Sequence, residues 1–331
     1  MNNKIRARNG VVSGRVFAVI AAGAFAIAGL AARPAMAAGP VSKSCRTIRL
    51  ASAAWTDNTV QNAVFSAITT PLGYRVKTNV YSVPVIFRGM KNNQIDLFLD
   101  NWMPAEAATR KHYLEQKAID VVRADLTGAK YTLVVPAYLY KEGLKSFSDI
   151  HKFAGRLHHR IYGIDPGSGG NVLIEKMLKA KAFDLGDFHL VQSSSAGMLA
   201  EVKRRYDKKQ AIVFLGWEPH PMNIEFDIKY LSGGAKYFGP HQGAATVYIV
   251  TRHGYAQDCP NLGALLNNFR LDVHAENKMM YAIQVKGEKP AAVARTWLAA
   301  HPAWIKTTLD GVTTTDGKPA AAAAPAASGQ G

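Results

Sequence analysis

From Thr47 onward, segments with the two-residue periodicity of a strand alternate with segments patterned as helices, and this order admits few folds. Residues 47–54 read as a strand. Asp57 or Asn58 is placed to cap a helix whose apolar positions Val60, Val64, Ala67 and Ile68 share one face, and Gly73 suits its exit. Val76, Thr78 and Val80 alternate with Arg75, Lys77 and Asn79 in a second strand, residues 83–90 form a short helix, and residues 95–99 form a third strand. Such a βαβαβ unit requires a parallel sheet with right-handed crossovers. A second unit follows, with strands at 162–165, 189–192 and 211–215, a turn at 166–171, a helix burying Leu173, Ile174, Met177 and Leu178, and another near 197–206. Helices dominate from Asn261.

Two β-branched, aromatic runs, residues 130–135 and 245–250, bracket the second unit. If the chain leaves the first unit through one and returns through the other, they form a two-strand hinge beneath a cleft, a device that allows closure around a ligand. The expected organisation is a first lobe from residues 38–132 and 245–312, a second lobe from 133–244, and a disordered tail at 313–331, whose Ala, Thr, Gly and Pro lack large apolar groups.

Residues 1–37 read as a secretory signal, cleaved near Ala37. Lys4, Arg6, Arg8 and Arg15 precede an apolar stretch at 16–30, and Ala35-Met36-Ala37 has the small-x-small form of a cleavage site. A retained anchor is the competing reading, but the stretch is shorter than the ~20 residues of a spanning helix. Five of the 40 basic residues and none of the 24 acids fall in 1–37, so the net charge of +16 becomes +11 in the mature chain. The runs Lys203-Arg204-Arg205 and Lys208-Lys209 lie at a helix end, where cations suit the dipole, and no nucleic-acid-binding motif accompanies them. Cys45 and Cys259 are the two cysteines; in an exported chain an even count favours one disulfide, the alternative being two buried thiols.

Three of the five tryptophans follow strand-like runs: Trp55, Trp102 and Trp217. Ligands of open α/β folds bind beyond the carboxyl ends of the strands. Each indole alone is an ordinary core residue, as Trp297 and Trp304 are read, but three at matching positions beside polar turns point to an aromatic box. A quaternary ammonium has no N–H to donate and is held by such a box through cation–π attraction; a flat neutral sugar is the chemical alternative. Prolines after Trp102 and after Glu218 restrict the backbone there. Asp57 either meets a ligand hydroxyl and complements the cation or serves only as a cap.

The turn Pro166-Gly167-Ser168-Gly169-Gly170-Asn171 lacks the ending of a phosphate-binding loop, the dinucleotide spacing and the nucleophile elbow. There is no Ser/His/Asp constellation, no metal-ligand cluster and no pair of catalytic acids, so the expectation is a protein with no catalytic residues, metal or cofactor. The competing class is a secreted enzyme acting on an ester of such a quaternary ammonium compound.

The segments Trp55-Thr56-Asp57, Asn101-Trp102-Met103-Pro104, Gly128-Ala129-Lys130-Tyr131-Thr132-Leu133, Tyr162-Gly163-Ile164-Asp165-Pro166-Gly167 and Gly216-Trp217-Glu218-Pro219-His220-Pro221 resemble the periplasmic choline-binding proteins of ABC importers, within the wider glycine betaine, choline and proline betaine binding family. The resemblance covers nearly all of residues 45–315. It implies an α/β, two-lobed periplasmic binding protein fold of type II form, a monomer that delivers its ligand to a membrane permease. It also implies a four-sided cage of Trp55, Trp102, Tyr131 and Trp217, with Asp57 at the hydroxyl end of choline and Cys45 paired with Cys259. Tyr131 enters the cage only through this resemblance. Ser168 departs from the pattern, because the similar choline binders carry Asn there to hold the ligand hydroxyl; the shorter side chain weakens choline binding, recruits water or signals another ligand, glycine betaine among them.

Overall fold

The computed structural model describes residues 39–320. The signal segment therefore lies outside the described residues. Among those described, no helix is long and apolar enough to cross a membrane.

β1 (Thr47–Ser52) pairs in parallel with β2 (Arg75–Val80) through the crossover helix α1 (Thr56–Thr69), and α2 (Val83–Lys91) returns the chain to β3 (Leu97–Met103), parallel to β1 on its other side. The first unit thus has the expected βαβαβ form. After α3 (Ala107–Glu115) comes β4 (Ile119–Pro136), much longer than the expected run at 130–135. β5 (Arg160–Tyr162), β6 (His189–Val191), β7 (Phe214–Glu218), β8 (Ile228–Tyr230) and β9 (Ala244–Arg252) complete one sheet in the order β2-β1-β3-β9-β4-β7-β5-β6, with β8 pairing β4. The two bracketing strands are neighbours at its centre: β4 and β9 run antiparallel from Ile119 opposite Arg252 to Lys130 opposite Ala244. β3 adds to the far side of β9, and β7 adds to the far side of β4.

Helix α1 corrects one expectation. Its N-cap is Trp55, with no side-chain cap, and Asp57 and Asn58 lie in the first turn. Asn58 instead turns its side chain back to the strand, where Oδ1 accepts the Ala53 N–H at 2.9 Å, and Asn62 Nδ2 donates to the Ala51 carbonyl at 3.1 Å. These bonds satisfy polar groups that burial would otherwise strand, and they lock the turn that carries Trp55.

Two apolar clusters result. One joins Ile48, Leu50, Leu97 and Leu99 of the sheet to Val64, Phe65 and Ile68 of α1 and to the carboxyl-terminal helices through Leu265, Met280 and Leu298. The other spreads over the opposite side and the second unit, from Phe87 and Phe98 to Ile161, Phe214 and Leu231. Trp297 and Trp304 pack on the first cluster as expected. The basic run of the second unit lies on the helix Ser195–Asp207, where Lys203 pairs with Asp207 and both Arg204 and Arg205 pair with Glu201.

The tail differs from expectation as far as it is described. Val312 and Ala320 are buried. Main-chain groups hold the segment where apolar side chains do not: Asn261 donates to the Thr313 carbonyl at 2.8 Å and accepts its N–H at 2.8 Å, and the Thr315 N–H donates to the Leu72 carbonyl at 2.7 Å. Residues 321–331 lie outside the described residues.

Cys45 and Cys259 form a disulfide with a Cα–Cα distance of 5.6 Å, closing a sequence separation of 214 residues within the first cluster. Closing so long a loop restricts the unfolded chain, so replacing both cysteines by serine is expected to lower the unfolding free energy by about 2–4 kcal/mol. Urea titration of the two proteins checks this, and coincident midpoints would contradict it.

Candidate ligand-binding site

The site is built where the central strands end. Between the pairs Phe98–Val250 and Asn101–Tyr248, β3 holds one residue more than β9, a bulge of the kind that re-aims side chains beside binding sites. Asn101 and Trp102 follow it, both buried. Trp217 lies directly opposite Tyr131 in the β7–β4 ladder, so their rings leave the same face of the sheet. Trp102 and Trp217 are therefore the next-to-last residues of their strands, not residues of the turns that follow.

The rings meet around one cavity. The centroids of Trp102 and Tyr131 are 5.5 Å apart at 50°, and those of Tyr131 and Trp217 are 6.3 Å apart at 83°. Trp55 completes the wall from the β1–α1 turn. The rings close in tightly, leaving a cavity of only about 10 Å³ lined by Trp55, Asp57, Trp102, Glu106, Tyr131, Ile164 and Trp217. Five of the six expected ligand residues thus line it. The sixth, Ser168, is 1 % exposed and lines the adjoining cleft beside Trp55 and Asp165. Its hydroxyl lies toward that of Tyr131 but has no hydrogen-bond partner of normal geometry among the described residues.

Each ring is braced from behind. Trp102 Nε1 donates to Asp100 Oδ1 at 2.8 Å, and Trp55 Nε1 donates to Asp165 Oδ2 at 3.0 Å. The Tyr131 hydroxyl accepts the Gly170 N–H at 3.2 Å. Gly170 is required there, since an added methyl would lie 2.5 Å from that hydroxyl oxygen. The His220 ring meets Trp217 edge to face at 4.7 Å. Burial drives the pKa of this imidazole down to about 3, so it is neutral, and its Nδ1 accepts the Met222 N–H at 3.0 Å.

The electrostatics are unusual for a cavity walled by hydrocarbon. Asp57 is 1 % exposed and Glu106 2 % exposed, and each has one carboxylate oxygen, Oδ1 and Oε1, without a partner among the described residues. Burial pushes the Asp57 carboxyl up to about 7, with the N–H groups of Asn58 and Asp57 and the Trp102 indole offsetting only part of the effect. Burial likewise raises Glu106 to about 8, against the opposing pull of the Asn101 amide and the Arg110 guanidinium. Behind them Asp100 is raised well above its ordinary value, first by burial and then by the charge of Asp57. None of the described side chains lining the cavity is basic. Glu106 was missed by the reading of the sequence; its only signal is an acid a few residues beyond a cage tryptophan, at the start of an unremarkable Ala-rich helix.

A larger groove of about 520 Å³ lies on the outer face of α1 against Pro290, Ala291 and Arg295, but no aromatic ring lines it.

The fold has known counterparts. The chain superposes on an ABC-transporter choline binding protein in complex with choline with a TM-score of 0.85 and 45 % identity, covering 86 % of this chain and 99 % of that one. Against an unliganded semi-closed structure of an ABC-transporter choline binding protein the TM-score is 0.80 at the same identity and coverage. A glycine betaine/carnitine transport binding protein of Listeria monocytogenes serotype 1/2a (strain 10403S) is 28 % identical over 162 residues, 49 % of this chain and about half of that protein, 53 %. These likenesses establish the fold as the two-lobed α/β binding fold. Residues 46–300 match the substrate binding domain of the ABC-type glycine betaine transport system, and the chain belongs to that family.

Proposed function

We propose that the protein captures choline outside the cytoplasm and presents it to the permease of an ABC importer. In this reading residues 1–37 direct export to the periplasm, the lobes are 38–132 with 245–312 and 133–244, and the protein acts as a monomer. Trp55, Trp102, Tyr131 and Trp217 wall the trimethylammonium group, Asp57 accepts the ligand hydroxyl, Ser168 stands at that end, and Glu106 adds a second counter-charge. Membership in a family of transport binding proteins removes the choline-ester enzyme from consideration.

One observation carries the choice of a cation: two buried carboxyl groups, each with an oxygen that has no partner among the described residues, line a cavity that has aromatic walls and no basic residue among those described. A desolvated cation–π contact contributes about 2 kcal/mol or more. Three or four ring faces then supply most of the ~8 kcal/mol of micromolar affinity. A ligand with its own carboxylate meets like charge instead. Calorimetry with choline, acetylcholine, glycine betaine and proline betaine at pH 8 is expected to rank choline first, and tighter binding of glycine betaine there would overturn the roles given to Asp57 and Glu106.

The raised carboxyls favour a second reading and separate it from the first. Asp57 near 7 and Glu106 near 8 hold protons in the neutral range. A bound cation favours their ionised forms and drives those protons off, so choline affinity rises between about pH 6 and pH 9, and binding at pH 7 releases protons. Glycine betaine needs a protonated carboxyl to donate to its carboxylate, so its affinity falls over the same interval. Heats of choline binding at pH 7 in buffers of different ionisation enthalpy read the proton release; identical heats would contradict it.

The walls are tested one at a time. Trp217→Ala is expected to weaken choline binding by at least about thirtyfold, the equivalent of one lost cation–π face. Gly170→Ala displaces the Tyr131 ring and is expected to weaken binding while the far-ultraviolet circular dichroism stays unchanged. Loss of the folded spectrum before any loss of affinity would mark these residues as structural.

A further inference from the structure

The glycine-rich turn between β5 and the helix Gly169–Lys179 matches no phosphate or nucleotide motif, yet it is built with care. Asn171, buried at its end, accepts the Ile164 N–H at 3.0 Å and donates to the Ile164 and Asp165 carbonyls at 2.7 and 3.2 Å. The Ser168 N–H closes the turn on the Asp165 carbonyl at 3.0 Å. A turn so pinned presents its outer atoms at fixed positions.

Those atoms meet the opposite side of the cleft at three points. Asp165 Oδ2 accepts Trp55 Nε1 at 3.0 Å across 110 residues of sequence. Gly167 lies against Pro84, so close that an added methyl would sit 2.8 Å from Pro84 Cγ. Gly169 lies against Ala105 and Glu106, where an added methyl would sit 2.9 Å from both the Ala105 carbonyl carbon and Glu106 Cγ. Trp55 and Glu106 line the cage, as does Ile164 of the turn itself.

We propose that the turn 165–170 is the latch that holds the two sides of the cleft together over the ligand, with Asp165 as a positioning residue that grips a cage indole from across the gap. The proposal rests on the reading of the site as a cage that closes on a ligand. The bond from Trp55 exists only while the sides are in contact, so it stabilises the closed form without contributing to the encounter. The carboxylate also fixes the rotation of the Trp55 ring and adds negative potential to the indole whose face meets the cation. The glycines serve as clearance: a side chain at 167 or 169 would hold the sides apart.

Stopped-flow tryptophan fluorescence with choline separates the two rates. Asp165→Ala is expected to release choline about tenfold faster with an unchanged association rate, the loss of one charge-assisted hydrogen bond. Asp165→Asn keeps an acceptor for the indole N–H and is expected to restore most of the residence time. Gly169→Val is expected to hold the protein open, with choline affinity down at least a hundredfold and a small-angle scattering radius that choline no longer reduces. An unchanged release rate in Asp165→Ala, or closure of Gly169→Val on choline, overturns the latch. A ligand-free arm does not depend on the ligand being choline: with spin labels on α2 and on the helix Ser195–Asp207, Asp165→Ala is expected to shift the distance distribution toward longer separations. Superimposable distributions also overturn the proposal, whereas a wild type that binds none of the four ligands tested above overturns the choline reading alone.

Discussion

The pairing of β4 with β9 is the constraint on which the site depends. Because these strands are neighbours, the order β3-β9-β4-β7 runs unbroken through the middle of the sheet, placing Trp217 directly opposite Tyr131 and Trp102 on the far side of β9, opposite Val247. None of the three is near another in sequence. A shift of one residue in the β4–β7 register would send Tyr131 or Trp217 to the opposite face of the sheet, which ties the cage to the ladder more tightly than to any loop.

The second layer of design is electrical. Indole N–H groups are satisfied by the carboxylates of Asp100 and Asp165, placed behind the rings and away from the faces. Neutral His220 supports Trp217 without introducing a positive charge. The result is a small aromatic chamber ringed by acids, of which Asp57 and Glu106 reach its surface. Burying acids that each keep one oxygen without a partner among the described residues costs folding energy.

Much of this was legible in the sequence, for physical reasons that also mark the limits. The period-2 and period-3.6 patterns of residues 47–99 describe real strands and helices because each element has one buried face. The same reasoning lost residues 119–129 of β4, where three register shifts against β9 break the alternation that periodicity relies on. Trp55, Trp102 and Trp217 stand out because a large amphipathic ring at a strand end is uncommon. Tyr131 does not, since its role comes from a partner 86 positions away in the β4–β7 ladder, and only the family resemblance brought it in. The cap alternative for Asp57 fails because the backbone starts the helix at Thr56, two residues earlier than such a cap requires. The segment after Val312 looked too poor in apolar groups to be ordered, but order there comes from Asn261 and the main chain.

The Cys45–Cys259 bond has a bearing on how the molecule tolerates its surroundings. Both sulfurs belong to the helical cluster on the outer side of β1, and no cage residue belongs to that cluster. The covalent tie therefore stiffens the cluster packed on β1 and α1 and reaches no wall of the cavity. Thiol reductants would soften that cluster without touching the cavity walls, so durability and ligand capture are separately adjustable properties of this chain.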